Sequence, residues 1–98
     1  MTMGGISGNP WVWLVIQDPG QKEQFLGVRD EERNQSFIPI FLEKKEALDG
    51  LEHLPVEKEK NCEIQAIQYQ EIARHAAEQA VMLFVLNGKG EILEKITP

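Results

Sequence analysis

Cysteine is almost absent from this sequence, in which Cys62 is the only one among 98 residues. A single cysteine excludes a disulfide within the chain, a Cys-x-x-Cys redox pair and a cysteine-rich zinc site. Long hydrophobic runs are also lacking: the apolar run at residues 11–16 has six residues, whereas a membrane-spanning helix needs about 18. Because the first residues contain no basic targeting region either, we expect a cytoplasmic protein without membrane contacts.

Positive charge is in short supply. The chain has 10 Lys and Arg against 16 Asp and Glu, which gives a net charge of -6. Such a chain repels phosphate backbones, so we expect no nucleic acid partner. The glycine-containing segment at residues 87–90 does not change this, because a phosphate cradle runs into a helix and here a strand is predicted to follow. We therefore predict no cofactor.

The remaining composition is that of an ordinary globular domain. Hydrophobic residues make up 42% of the chain and charged residues 27%, and a chain of this length has room for one core. Residues 1–9 contain three glycines, a serine and an asparagine, a mixture that costs much backbone entropy to order. We predict a flexible N-terminal tail at residues 1–9 and a single α+β domain at residues 10–98.

Strand patterns occupy the first half of the domain. Residues 11–16 are all β-branched, aromatic or leucine, which predicts a strand buried on both faces. Residues 24–29 predict a second strand and residues 36–42 a third. Pro39, inside the third strand, has no N–H to donate, which places it at an edge, a bulge or a non-bonded position.

Two helical patterns separate the remaining strands. Residues 43–51 predict a short helix, and residues 69–80 a longer one, because apolar residues recur there with helical spacing. Residues 63–68 alternate as a half-buried strand does, and residues 81–86 and 91–96 flank an Asn-Gly hairpin turn. The predicted order is β-β-β-α-β-α-β-β, an α+β fold with a single mixed or mainly antiparallel sheet and both helices on one face.

One row of titratable residues follows the second predicted helix. Glu71, His75 and Glu78 are four and three residues apart, so they share a helix face. A carboxylate, an imidazole and a second carboxylate could together bind a metal ion or transfer a proton. The same row is also typical of a solvated face opposite an alanine stripe, and the sequence favours that interpretation.

Four aromatic residues near the predicted strands allow two interpretations. Trp11, Trp13, Phe37 and Phe41 could form a core layer or an aromatic surface that contacts a partner. A chain with 7% aromatic residues needs them in its core, which favours the first interpretation. An exposed tryptophan would favour the second, because exposed aromatic clusters mark contact sites.

Two short segments resemble a known family. Residues 37–41 (Phe-Ile-Pro-Ile-Phe) lead into a charged helix, and the apolar run at residues 81–86 ends at Asn87 and Gly88. In this arrangement residues 36–93 resemble the SseB N-terminal family of small bacterial proteins, although that family commonly has Asn-Pro where this chain has Asn87 and Gly88. No catalytic residues carry over. The resemblance implies a bacterial accessory or interaction domain.

Two hypotheses for the function follow. The first is a noncatalytic protein-interaction or regulatory module that binds a protein partner or forms a homodimer, through a strand edge such as that of Pro39 or the final hairpin. The alternative is a small metal-binding protein or enzyme that uses Glu71, His75 and Glu78. The second hypothesis requires these three side chains to converge on a pocket.

Overall fold

The computed structural model of the chain describes residues 6, 8–18, 20, 24–32, 34–55 and 61–98. These residues form seven strands and two α-helices, with one 3-10 turn after the first helix. The strands are β1 (Trp11–Gln17), β2 (Gln24–Phe25), β3 (Val28–Asp30), β4 (Gln35–Ile40), β5 (Cys62–Gln68), β6 (Met82–Leu86) and β7 (Ile92–Ile96). The helices are α1 (Lys44–Gly50) and α2 (Tyr69–Gln79), and the 3-10 turn is Leu51–His53.

The α+β class is confirmed, but the prediction of a single sheet is wrong. One sheet has the order β2-β1-β5 and is antiparallel, and the other has the order β3-β4-β6-β7, in which β4 and β6 are parallel. The predicted element order also lacked a strand, because residues 24–29 do not form one strand. Leu26 turns inward there: its side chain is buried, and its N–H donates to the Val15 carbonyl at 2.9 Å. It thereby separates β2 from β3.

Among the described residues, one backbone-paired residue pair joins the two sheets. Trp13 in β1 and Phe41, directly after β4, each donate their N–H to the other's carbonyl at 2.8 Å. Hydrogen-bonding directions alternate along a strand, so the missing N–H of Pro39 lies on the same side as Phe41, away from β6. On that side β4 pairs with β3 only as far as Phe37. The proline thus takes a non-bonded position where the partner of β4 changes from β3 to β1.

The two helices cover opposite faces, whereas the sequence predicted that they share one. On the first face, Ile72 and Ala76 of α2 pack on one set of alternate residues from β1, β4 and β6, and on the second face Ala47 of α1 packs on the other set. The central strands are therefore buried on both sides, which is why they are continuous apolar runs. The first core contains Val12, Leu14, Ile16, Ile38, Ile40, Leu83 and Val85, and the second contains Phe41, Phe84 and Leu86.

Helix α1 lies unusually close to the β6–β7 turn. A Cβ atom placed on Gly50 would lie 2.5 Å from Cε1 of Phe41 and 3.0 Å from the Asn87 carbonyl oxygen. At the other end of the contact, the Gly88 N–H donates to Oε2 of Glu46 at 3.2 Å. This contact holds the short helix against the hairpin although the helix is only seven residues long.

The start of α2 is capped by Asn9, the last residue of the predicted tail, and by Pro10, the first residue of the predicted domain. The Tyr69 N–H donates to the Pro10 carbonyl at 2.8 Å, and the Gln70 N–H donates to Oδ1 of Asn9 at the same distance. These bonds satisfy two of the N–H groups that a helix N-terminus leaves unpaired. Ile6 also packs on the α2 core. Residues 1–5 and 7 lie outside the described residues, and the predicted boundary at residue 10 stays a prediction.

Asn9→Ala should lower the free energy of unfolding by about 1 kcal/mol, the usual cost of losing a side-chain helix cap. Urea unfolding followed by circular dichroism measures this. The control is Gln70→Ala, which removes a longer 3.4 Å bond to the Gly8 carbonyl but keeps the backbone cap, and which should change stability by under about 0.5 kcal/mol. Equal stability of the wild type and Asn9→Ala would show that the cap contributes nothing.

Candidate functional site: the outer edge of strand β5

Strand β5 lies at the edge of its sheet. Among the described residues it pairs only with β1, without a break, from Cys62 opposite Gln17 to Gln68 opposite Trp11. An edge strand has one row of backbone groups that its own sheet does not use. The two ends of β5 show which groups these are.

Hydrogen bonds just beyond each end of β5 set the direction of its backbone groups. The Asn61 carbonyl accepts from the Asp18 N–H, and the Tyr69 N–H donates to Pro10, both at 2.8 Å. Odd-numbered residues of β5 therefore face β1, since these directions alternate along a strand. The N–H and C=O groups of Ile64 and Ala66 and the N–H of Gln68 point outward, and we call them the β5 edge. In the described part of the chain they have no hydrogen-bond partner, whereas the carbonyl of Gln68, the N-cap of α2, accepts the first bond of that helix.

The β5 edge lacks the features that usually prevent one strand from pairing with another. The strand contains no proline and no lysine, its one charged residue is Glu63, and its pairing with β1 has no bulge. The opposite edge of the fold, β7, carries Glu94 and Lys95 and has a register shift in its pairing with β6. Charges and bulges of this kind protect edges from association. The β5 edge is therefore less protected than the β7 edge against pairing with another strand.

Trp11 lies next to the β5 edge and is exposed. Its side chain is 61% accessible to solvent, and Trp11 is paired with Gln68 across the β1–β5 ladder. The composition favours a core position for the four aromatic residues, whereas Trp11 lies at the surface. An exposed tryptophan beside an unpaired strand edge is typical of a contact surface.

The other three aromatic residues pack in the fold. Phe41 is completely buried, and the half-buried ring of Phe37 stacks on Phe84 with ring centres 4.1 Å apart. Trp13 is half-buried, and Nζ of Lys44 lies 5.7 Å from its ring centre. For these residues the core interpretation describes the structure, and their part in an interaction surface stays a prediction.

A cavity of about 360 Å³ lies alongside β5. Four consecutive residues of the strand line it, which are Gln65, Ala66, Ile67 and Gln68, together with Trp11 and Phe25. Residues of β1, β2 and α2 also line it, so the cavity runs over the face of the sheet, and only its β5 side would lie next to a strand bound at the β5 edge. Pockets next to a strand edge accommodate alternate side chains of a bound peptide and so determine which sequence binds.

The row Glu71, His75 and Glu78 lines a smaller cavity of about 180 Å³, together with Phe25 and Arg74. The Phe25 and His75 rings meet edge to face at 4.7 Å between centres. Within the described residues, which include the whole row, no three His, Cys, Asp or Glu side chains are grouped so that they could hold a metal ion. The structure thus places the three residues along one small cavity, and their role in metal binding or catalysis stays a prediction.

The hydroxyl group of Tyr69, at the start of α2, has a raised pKa. Burial, and to a lesser extent the negative charge of Glu94, raises the pKa of this phenol above its usual value of 10.0. Both effects disfavour the phenolate. The hydroxyl therefore stays protonated at neutral pH and does not act as a base there.

Sequence patterns did not identify the β5 edge. The three-residue interval between Ile64 and Ile67 obscured the strand alternation, and the choice of outward groups depends on where β1 pairs. The absence of lysine and proline from residues 62–68 is the signal that could have identified an unprotected edge. The two edges that the sequence did suggest were that of Pro39, which is an interior strand, and the final hairpin, which the structure shows to be bulged.

No described helix is long and apolar enough to span a lipid bilayer. Comparison with known proteins gave no match, whether with family models, with curated proteins or with solved structures.

Proposed function

We propose that this protein is a noncatalytic interaction module that binds an extended segment of a protein along the β5 edge. One observation carries the proposal: the outward backbone groups of Ile64 and Ala66 and the outward N–H of Gln68 are unpaired among the described residues, in a regular strand without a protective feature. A partner strand would supply these hydrogen bonds, which is how peptides add to exposed sheet edges in other domains.

The surroundings of the edge support a protein partner. The exposed Trp11 side chain and the cavity lined by Gln65 and Ile67 provide apolar contact area and a place for partner side chains. The net charge of -6 disfavours a nucleic acid at the same surface, because an acidic protein cannot release counterions from phosphates. The resemblance to the SseB N-terminal family points to the same class of function, that of a bacterial accessory domain.

Ala66→Pro should weaken strand binding and leave the fold intact. Proline removes the outward N–H of residue 66, and an edge strand tolerates it where that N–H faces solvent. The probe is a phage-displayed library of random nine-residue peptides selected on the immobilised wild-type protein. Selected peptides, made synthetically, should bind Ala66→Pro about five- to tenfold more weakly, because one hydrogen bond of about 1 kcal/mol is lost.

The matched control is Ala66→Gly, which changes the same exposed position but keeps the N–H and adds no atom to the cavity that residue 66 lines. It should bind the selected peptides as the wild type does, and circular dichroism should show both variants folded. Peptides that bind Ala66→Pro as tightly as the wild type would place the interaction elsewhere. A library that yields no binding peptide would refute the module.

A further inference from the structure

We infer that the partner of the β5 edge is a second copy of this chain, paired antiparallel with β5 so that the two Gln65 residues face each other across a twofold axis. This inference rests on the proposed function and adds the identity of the partner and the register. The three-stranded sheets of the two copies would then form one continuous six-stranded sheet, β2-β1-β5-β5-β1-β2.

The direction of the backbone groups restricts the register. In an antiparallel pair, only residues whose N–H and C=O point outward can bond to the partner strand. With Gln65 on the twofold axis, Ile64 of each copy lies opposite Ala66 of the other, and both have outward groups. In this register all seven residues of β5 lie opposite residues of the second copy's β5.

The side chains are compatible with this register as well. Glu63, the one charged residue of β5, lies opposite Ile67 of the second copy, so no like charges meet. The two Gln65 amides face each other, and each can donate to and accept from the other. A register centred on Glu63 would instead bring two carboxylates together, which is unfavourable for directly opposed residues. Registers centred on Ile64 or Ala66 leave part of the strand unpaired.

The charge of the whole chain adds a testable property. Two copies that each carry a net charge of -6 repel one another, while the strand contact itself is formed by backbone groups and amides. Salt screens this repulsion but has little effect on the backbone hydrogen bonds. The dimer should therefore become tighter as the salt concentration rises, which is the opposite of an interface held by ion pairs.

A cysteine cross-link tests the register directly. In the Cys62→Ser background, Gln65→Cys should form a disulfide-linked dimer under mild oxidation, because opposed residues at a non-hydrogen-bonded position have Cα atoms about 4.5 Å apart, within disulfide range. The matched control is Gln68→Cys in the same background. In this register two Gln68 residues are six strand positions apart, roughly 20 Å, so the control should remain monomeric on a non-reducing gel. Adding Ala66→Pro to Gln65→Cys should abolish the cross-link.

Light scattering behind size exclusion, over a range of protein and salt concentrations, completes the test. A mass that rises from monomer to dimer with concentration and with salt supports the inference. A wild-type chain that stays monomeric throughout, with no Gln65→Cys dimer, refutes it, and so does a Gln68→Cys dimer that forms as readily. If peptides selected on the wild type still need the N–H of residue 66, the inference fails alone and the proposed function stands. If peptide binding fails too, both fail.

Discussion

Gly50→Ala is expected to lower the free energy of unfolding by about 2 kcal/mol, the usual cost of overpacking a core. The added Cβ would lie 2.5 Å and 2.9 Å from two atoms of the Phe41 ring, which is completely buried. The same substitution at an unconstrained helical glycine gains roughly 0.5–1 kcal/mol, so the contact reverses the sign. Denaturant unfolding of the two proteins measures the difference.

The matched control is Gly27→Ala, because a Cβ at that position would meet no atom within 4 Å. It should leave stability unchanged or slightly raised. Phe41→Leu combined with Gly50→Ala should be more stable than the sum of the two single effects predicts, because the smaller side chain frees the space that the new methyl group needs. A Gly50→Ala protein as stable as the wild type would mean that α1 moves away from the ring without cost.

Phe84→Ala is expected to lower the free energy of unfolding by about 3–5 kcal/mol, the range measured for a fully buried phenylalanine. Phe84 has no exposed surface, stacks on Phe37, and lies opposite Pro39 in the parallel β4–β6 pair. Removing its ring leaves a cavity between the central strands and α1. The measurement is urea unfolding, with the slope checked to confirm that the transition remains two-state.

Phe37→Ala serves as the control for this prediction. It removes the other ring of the same stack from a half-buried position, so it should cost clearly less than Phe84→Ala. A similar loss from both variants would show that the stacking contact, rather than the burial of Phe84, determines the effect.

The sequence predicted the elements whose patterns are long and uninterrupted. Residues 11–16 and 81–86 are apolar throughout and are central strands, and the alanine-rich stripe of residues 69–80 is α2. Burial on both faces makes such strands easy to recognise. The α+β class follows from these elements. The exposure of Trp11 does not, because the sequence around a tryptophan at the start of a strand is the same whether that face of the strand is covered or exposed to solvent.

The division into two sheets could not be predicted, because it depends on contacts between distant residues. Leu26 breaks the second predicted strand by turning its side chain inward, and Pro39 leaves a gap that β1 fills only at Phe41. Apart from the proline itself, no nearby sequence pattern indicates either the inward turn at Leu26 or the change of partner strand at Phe41. The placement of the two helices on opposite faces has the same origin, since which face a helix covers depends on the path of the chain.

For the candidate site, the sequence marks residues 62–68 as a strand without protective residues but does not show which of its backbone groups point outward. The outward direction of Ile64 and Ala66 is set by the bonds that flank β5, at Asn61 and Tyr69, and these require the register with β1. The row of Glu71, His75 and Glu78 was easier to find, because helical spacing alone places such residues on one face.

The pairing of Trp11 with Gln68 also bears on how the chain emerges from the ribosome. Of the described strands β1 is made first, yet most of its residues pair with β5, whereas β2 pairs with two of them and the bridge to Phe41 supplies one pair. Residues 62–68 must therefore be made before this apolar segment is fully hydrogen-bonded, and contacts so distant in sequence form slowly. A nascent chain stalled before residue 62 would expose the apolar residues of β1. Chaperone binding is therefore expected mainly while residues 18–61 are being synthesised.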